Sequence, residues 1–173
     1  MGNTASAFLE SARALTALLS PIIDDFAAAA EAEFSVPDLG SDAATAFSKG
    51  MFAIRSIRYF DGGAVGDKVG WEHVDSGGFT LLLYEDRPGL EFLAHNGAWE
   101  PVTIRTGEPL IIPGLALQYR AQCRMRATCH RVVVNEAMAG AGRISAVCFV
   151  GIAHTPAYNR KDFLAALLRG HPG

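Results

Sequence analysis

Two hydrophobic periodicities divide this chain. Up to about residue 50 apolar positions recur at helical spacing, and from Met51 onward they recur at strand spacing. In ASAFLESARALTALL (5–19), Phe8, Ala12, Leu15 and Leu19 share one helical face, with Leu18 at its edge. Pro21 fits the first position of a second helix over about 21–33, because its missing N–H would lack a partner there anyway. Asp24 and Asp25 then lie in that helix's first turn, where the helix dipole favours anions. SVPDLGSD (35–42) carries turn chemistry at Pro37 and Gly40, and a short helix over about 42–49 follows.

The strand-like part contains eight runs: 51–60, 71–75, 79–85, 90–93, 99–104, 109–113, 127–134 and 143–152. Glycine, proline and asparagine clusters punctuate them. Such regular spacing predicts a sandwich or barrel, and eight short strands fit a jelly roll. NRKDFLAALLRG (159–170) reads as a closing amphipathic helix ending near Gly170. The expected fold is therefore mainly β with flanking helices, a double-stranded β-helix in one domain. Its parts are a helical N-terminal segment (1–50), a jelly-roll core (51–152) and a C-terminal helix (153–173).

Composition narrows the class. At 173 residues and 50% hydrophobic content, the chain can bury a core without needing a metal or disulfide to fold. A net charge of −3 gives no basic footprint for nucleic acid. No run approaches the ~18 apolar residues of a membrane span. Cys123, Cys129 and Cys148 form no CxxC and cannot all pair with one another, which predicts reduced thiols and a cytoplasmic protein. MGNTAS at the start matches the N-myristoylation pattern through Gly2 and Ser6, a short pattern that also arises by chance.

Several local patterns carry little chemistry. DSGG (75–78) matches the nucleophile segment of trypsin-like proteases in letters, but no histidine segment of that family lies upstream. GGAVGDKVG (62–70) joins two strands and opens no helix, so it lacks the setting of a phosphate loop. Arg120, Arg124 and Arg126 read as a solvated loop rather than a basic face.

His73-x-Asp75, with His130 in a later strand, is a stronger constellation. Residues i and i+2 of a strand point to one face, so His73 and Asp75 are expected to project together. A histidine from a facing strand would complete two imidazoles and one carboxylate, the set that holds a non-haem Fe(II) with open positions. Taken alone, the spacing also suits hydrogen-bonded core or surface groups.

GWEHVDSGGFTLLLYEDRPGLEFLAHNGAWEPV (70–102) resembles the iron-binding stretch of the isopenicillin N synthase-like Fe(II)/2-oxoglutarate oxygenases. In that family H-x-D is followed by a small loop, L-T-L-L, a G-L and a tryptophan. ATCHRVV (127–133) resembles the distal-histidine segment, and RIS (143–145) the downstream R-x-S, within a likeness running from about Arg55 to Val150. The resemblance implies a jelly roll in which His73, Asp75 and His130 ligate Fe(II). Arg143 and Ser145 would hold the distal carboxylate of 2-oxoglutarate, a role suited to an arginine fork and a hydroxyl. Tyr59, in Arg58-Tyr59-Phe60-Asp61, would assist cosubstrate or substrate, although Phe60 stands where the family often has proline.

The implied activity is oxidation of a C–H bond of a small molecule, plausibly in secondary metabolism, by hydroxylation, desaturation or cyclisation, with O2 consumed. Two other classes fit the same residues: an iron oxidase of this fold that does not use 2-oxoglutarate, and a non-catalytic jelly-roll binding protein. Twelve residues separate His130 from Arg143, slightly more than is usual in the family, with the excess in EAMAGAG. The chain is also short for the family. That implies either an open pocket or one covered by a second subunit, as in a homodimer.

The remaining candidates have modest expectations. His95 should be exposed in a turn, His154 should cap a loop, and His171 lies in the tail. Cys129 should face away from His130. Trp71 is expected in the core or lining the barrel, and Phe79 in the core or on a substrate wall.

Overall fold

The computed structural model describes residues 2–60, 63–155 and 161. The expected C-terminal helix lies almost wholly outside the described residues. Two helices, α1 (Gly2–Phe34) and α2 (Leu39–Ser48), precede eight strands. The strands are β1 (Phe52–Tyr59), β2 (Lys68–His73), β3 (Phe79–Glu85), β4 (Leu90–Leu93), β5 (Trp99–Val102), β6 (Leu110–Pro113), β7 (His130–Val133) and β8 (Arg143–Val150). A short helix, α3 (Leu115–Arg120), separates β6 from β7.

All the strand pairings are antiparallel, and they form two four-stranded sheets ordered β1-β8-β3-β6 and β2-β7-β4-β5. This interleaved order is the double-stranded β-helix expected from the eight runs. Leu82, Leu90, Ile112, Val132 and Val147 fill the space between the sheets. The first sheet is buried on its other face as well. Leu19, Ile23, Ala27 and Ala30 of α1 and Leu39, Ala43 and Phe47 of α2 pack there against Phe79, Leu81, Cys148 and Val150. That two-sided burial explains why β3 reads FTLLL without alternation.

Three expectations need correction. The first 34 residues do not divide at Pro21, because α1 runs through it. An interior proline costs roughly 3 kcal/mol. The buried stripe from Leu19 to Ala30 spans the proline, and each large apolar side chain contributes about 1.5–3 kcal/mol, so packing outweighs the local penalty. Strand β2 starts and stops earlier than WEHVD suggested, with register shifts against β7, so Asp75 lies in the loop after the strand. Finally, Arg120 is no solvated loop residue. It ends α3 and binds Asp42 of α2 at 2.7 Å, the carbonyl of Ala153 at 3.2 Å and that of Pro37 at 3.0 Å. Arg124 likewise donates to Ala121 and Ser35 carbonyls. Among the described residues, no helix is long and apolar enough to cross a membrane.

Candidate metal centre and its cavity

Strand pairing brings the two histidines together. His73 at the end of β2 sits opposite His130 at the start of β7, and their ring centroids are 4.3 Å apart. Asp75 joins them from the following loop. Its backbone carbonyl accepts the N–H of Leu115 at 2.8 Å, and Gly114 N–H bonds Gly78 at 2.8 Å, so the start of α3 pins this loop. Gly114 allows that approach: a Cβ there would collide with the Gly77 carbonyl oxygen and come within 3.1 Å of that of Asp75. One ligand-type atom from each of His73, Asp75 and His130 lies within 4.8 Å of the others.

Hydrogen bonds select which atoms remain available. Nδ1 of His73 meets the Trp71 carbonyl at 2.6 Å, and Nδ1 of His130 meets the Thr128 carbonyl at 3.0 Å. A carbonyl can only accept, so both Nδ1 atoms carry a proton, and in the neutral ring this leaves the lone pair on Nε2. Thr80 Oγ1 on β3 donates to Asp75 Oδ2 at 2.5 Å, which turns Oδ1 toward His73 Nε2 at 3.8 Å. Burial pushes the His130 imidazole below its usual pKa, against the opposing pull of the Thr128 carbonyl and Asp75, and so favours the neutral form a metal requires. The donor set fits a divalent first-row cation. Bonds of about 2.1 Å place neighbouring donors roughly 3–4 Å apart, a small contraction from the spacing here. The half-exposed His73 ring has room to make it.

These three side chains line a cavity of about 80 Å³ between the sheets, together with Tyr59, Arg143 and Ser145. Six residues from four separate segments of the sequence therefore share one space. Tyr59 pairs with Arg143 across β1 and β8, and the guanidinium lies 5.4 Å from the tyrosine ring centroid. Burial raises the Tyr59 phenol above its usual pKa, with Arg143 pulling the other way. Arg143 and Ser145 are each 2% exposed and, as the period-2 rule predicts, face the barrel interior together.

Two participants were missed by sequence reasoning. Thr80 bears on Asp75, and a lone hydroxyl inside an apolar strand run was the available signal. Glu85 binds Arg143 Nη2 at 2.7 Å through Oε2 and the N–H of Ile104 at 3.1 Å through Oε1. Of the two aromatic candidates, Trp71 lies outside both expected places and Phe79 takes its core alternative. Trp71 is 76% exposed, because the β2 register shifts leave it pointing outward, and Phe79 packs edge-on to Phe26 at 4.8 Å in the helix–sheet core. His95 is exposed in its turn, Cys129 lies apart from the cavity, and His154 ends a loop on Asp42 at 2.6 Å.

Residues 53–152 match the family model of the 2OG-Fe(II) oxygenase superfamily, more than half of the chain. No curated protein matches it. Among solved structures, a protein of Shewanella oneidensis described as an oxygenase is 23% identical with a TM-score of 0.64, over 97% of this chain and 64% of that one. A full-length Neurospora crassa protein in complex with alpha-KG (2-oxoglutarate) is 19% identical with a TM-score of 0.69, over 94% of this chain and 57% of that one. The Arabidopsis thaliana dioxygenase for auxin oxidation 1, bound to 2-oxoglutarate, is 24% identical with a TM-score of 0.51, over 65% of this chain and 42% of that one. This chain thus spans less than two thirds of the length of these neighbours, and at such identities the likeness carries the jelly-roll fold. With the family match covering all of β2 to β8, the chain belongs to the 2OG-Fe(II) oxygenase superfamily.

Proposed function

We propose that this chain is an Fe(II)- and 2-oxoglutarate-dependent dioxygenase that oxidises a C–H bond of a small molecule, by hydroxylation or by desaturation or cyclisation, plausibly in secondary metabolism. The observation that carries the reading is the shared cavity: three ligand atoms, each freed by hydrogen bonding at the opposite side of its group, face the same space as a buried arginine and serine. His73, Asp75 and His130 would hold the iron. With 2-oxoglutarate bound, the iron would let O2 serve as the oxidant, with succinate and CO2 as coproducts.

The chain's own residues do the rest. The Trp71 and Thr128 carbonyls fix the two imidazole tautomers, and Thr80 fixes the carboxylate. Arg143 and Ser145 would bind the distal carboxylate of the cosubstrate, with Tyr59 beside them. Leu82, Val132 and Val147 exclude water from the inner end of the cavity, while the His73 end stays open to a substrate. A small-molecule substrate suits that opening. In related structures, the Neurospora crassa protein is seen with thymine and with 5-formyluracil. A homodimer covering the open end goes with this reading, and a monomeric mass in light scattering would refute it.

The test is an anaerobic titration of the metal-free protein with Fe(II) and then 2-oxoglutarate, followed by visible absorption. A charge-transfer band that needs both, and is lost in Arg143→Ala and His130→Ala, is expected. Iron binding without the band would replace this reading with the cosubstrate-independent oxidase, and no iron binding would replace it with a binding module.

A further inference from the structure

Arg143, which lines the cavity, is paired with a carboxylate that the proposed chemistry does not use. Glu85 enters from β3 opposite Ser145 on β8, and its side chain is 6% exposed. It takes the Nη2 side of the Arg143 guanidinium at 2.7 Å, while the Arg87 carbonyl takes Nε at 2.9 Å. That is one of the two edges with which a guanidinium can grip a carboxylate in bidentate fashion. Of the five N–H groups of the fork, those left for an incoming anion are on Nη1 and the far side of Nη2.

Charge balance gives this arrangement a consequence. A divalent cation would bring two positive charges and Arg143 brings a third, against the two negative charges of Asp75 and of Glu85 behind Arg143. A cosubstrate dianion therefore meets a net single positive charge and leaves the filled site negative. Without the Glu85 charge the same dianion would be balanced. Between buried groups such an imbalance is poorly screened and acts directly on affinity.

We propose that Glu85 is a built-in competitor for the cosubstrate's distal carboxylate: it orients Arg143, offsets its charge, and so sets a weaker affinity for 2-oxoglutarate than the bare arginine would give. The inference rests on the reading of Arg143 as the distal-carboxylate anchor. Glu85 is a positioning residue in this scheme, acting through Arg143.

The test compares the wild type, Glu85→Gln and Arg143→Ala in the full chain. The affinities of the anaerobic Fe(II)-loaded proteins for 2-oxoglutarate are measured, alongside pyruvate, a 2-oxoacid without the distal carboxylate. Metal-free thermal stability is a third readout. Glu85→Gln is expected to tighten 2-oxoglutarate binding by at least about tenfold, the size of one charge-assisted hydrogen bond, and to leave pyruvate unchanged. Its melting temperature should fall by about 3–8 °C, because Gln cannot accept from both Arg143 and Ile104. A merely structural role would lower stability without tightening binding.

Unchanged or weaker 2-oxoglutarate binding in Glu85→Gln, with binding lost in Arg143→Ala, would overturn this proposal and leave the proposed function standing. Wild-type binding in Arg143→Ala would overturn the anchor reading itself. Should Glu85→Gln fail to fold, Glu85→Asp keeps the charge on a shorter arm. It should tighten 2-oxoglutarate two- to threefold, by about the loss of a weak hydrogen bond, and no tightening would count against the proposal.

Discussion

Thr80→Val separates the candidate metal centre from the fold around it. Thr80 is 3% exposed, and its hydroxyl makes a single bond across the two sheets, to Asp75 Oδ2 at 2.5 Å. Valine has nearly the same shape, so packing is kept and the donor is removed. Two effects then oppose each other in the metal-free protein. The carboxylate loses a charge-assisted hydrogen bond worth roughly 1.5–3 kcal/mol. Replacing hydroxyl by a buried methyl returns about 0.8 kcal/mol. Asp75 retains some contact with solvent, its side chain being 11% exposed, so the net loss of stability should be about 1 kcal/mol. By the size rule for a domain of this length, that is a fall of roughly 2–4 °C in melting temperature.

Metal affinity should fall further than stability. The free Oδ2 lets the carboxylate rotate away from the two Nε2 atoms, and loss of such an outer hydrogen bond typically weakens a metal site 10- to 100-fold, about 1.4–2.7 kcal/mol. Isothermal titration with Mn(II) or anaerobic Fe(II) reads this directly. Thr80→Ser is the control: it keeps the donor and loses the methyl, so its metal affinity should stay within about threefold of the wild type while its stability drops by about 1 kcal/mol. Metal affinity in Thr80→Val within threefold of the wild type would refute the argument that this hydroxyl fixes the carboxylate.

Three further outcomes follow from other parts of the molecule. Gly114→Ala should weaken metal binding as well as the fold, because its Cβ would collide with the loop that presents Asp75; an unchanged titration would show that the loop is held some other way. Burial raises the pKa of Asp42, but the hydrogen bonds and charges of His154 and Arg120 outweigh it and leave the carboxyl below its usual value. The stability this contributes is therefore present above about pH 4 and lost as pH falls through the folded-state value, so Asp42→Asn should flatten the acid limb of urea unfolding curves measured from pH 6 downward. At neutral pH the same variant, which leaves the largely buried Arg120 without its counter-charge, should cost roughly 2–3 kcal/mol, below the full-burial range. Iodoacetamide at pH 8 should alkylate the exposed Cys123 first and the half-buried Cys129 more slowly. Cys148, whose thiol burial pushes up to about 11, should react only on unfolding, as peptide mass spectrometry can show.

How much of this was legible depended on the local backbone. Strands β3 and β4 match their expected bounds because turn residues close both ends of each run. The helical stretch was legible as helix but not as a single one, since the stripe that carries α1 through Pro21 finds its partners on β3 and β8, far along the chain. Helix α3 has only six residues, too few for a periodicity, and Gly114 precedes it without a side-chain cap. The metal-ligand candidates were readable through a resemblance more than through parity. His73 and Asp75 meet because a loop pinned by α3 turns Asp75 inward, not because both lie on one strand.

Glu85 shows most clearly where period-2 reasoning stops. Leu81 faces the helices and Leu82 the barrel, so simple alternation would put Tyr84 inside and Glu85 outside. A register shift between Leu82 and Tyr84 reverses this: Tyr84 is 52% exposed, and Glu85 turns in to meet Arg143. One irregular step in the backbone thus delivers a carboxylate to the arginine that family resemblance marks for the cosubstrate. Strand β8 has no such irregularity against β1. Arg143, Ser145, Val147 and Phe149 line the cavity, while Cys148 and Val150 pack under the helices. The regular strand therefore supplies the arginine, and the bulged one beside it supplies the carboxylate that pairs with it. Moving that bulge by one residue would expose Glu85, bury Tyr84, and leave Arg143 without a counter-charge in the same stroke.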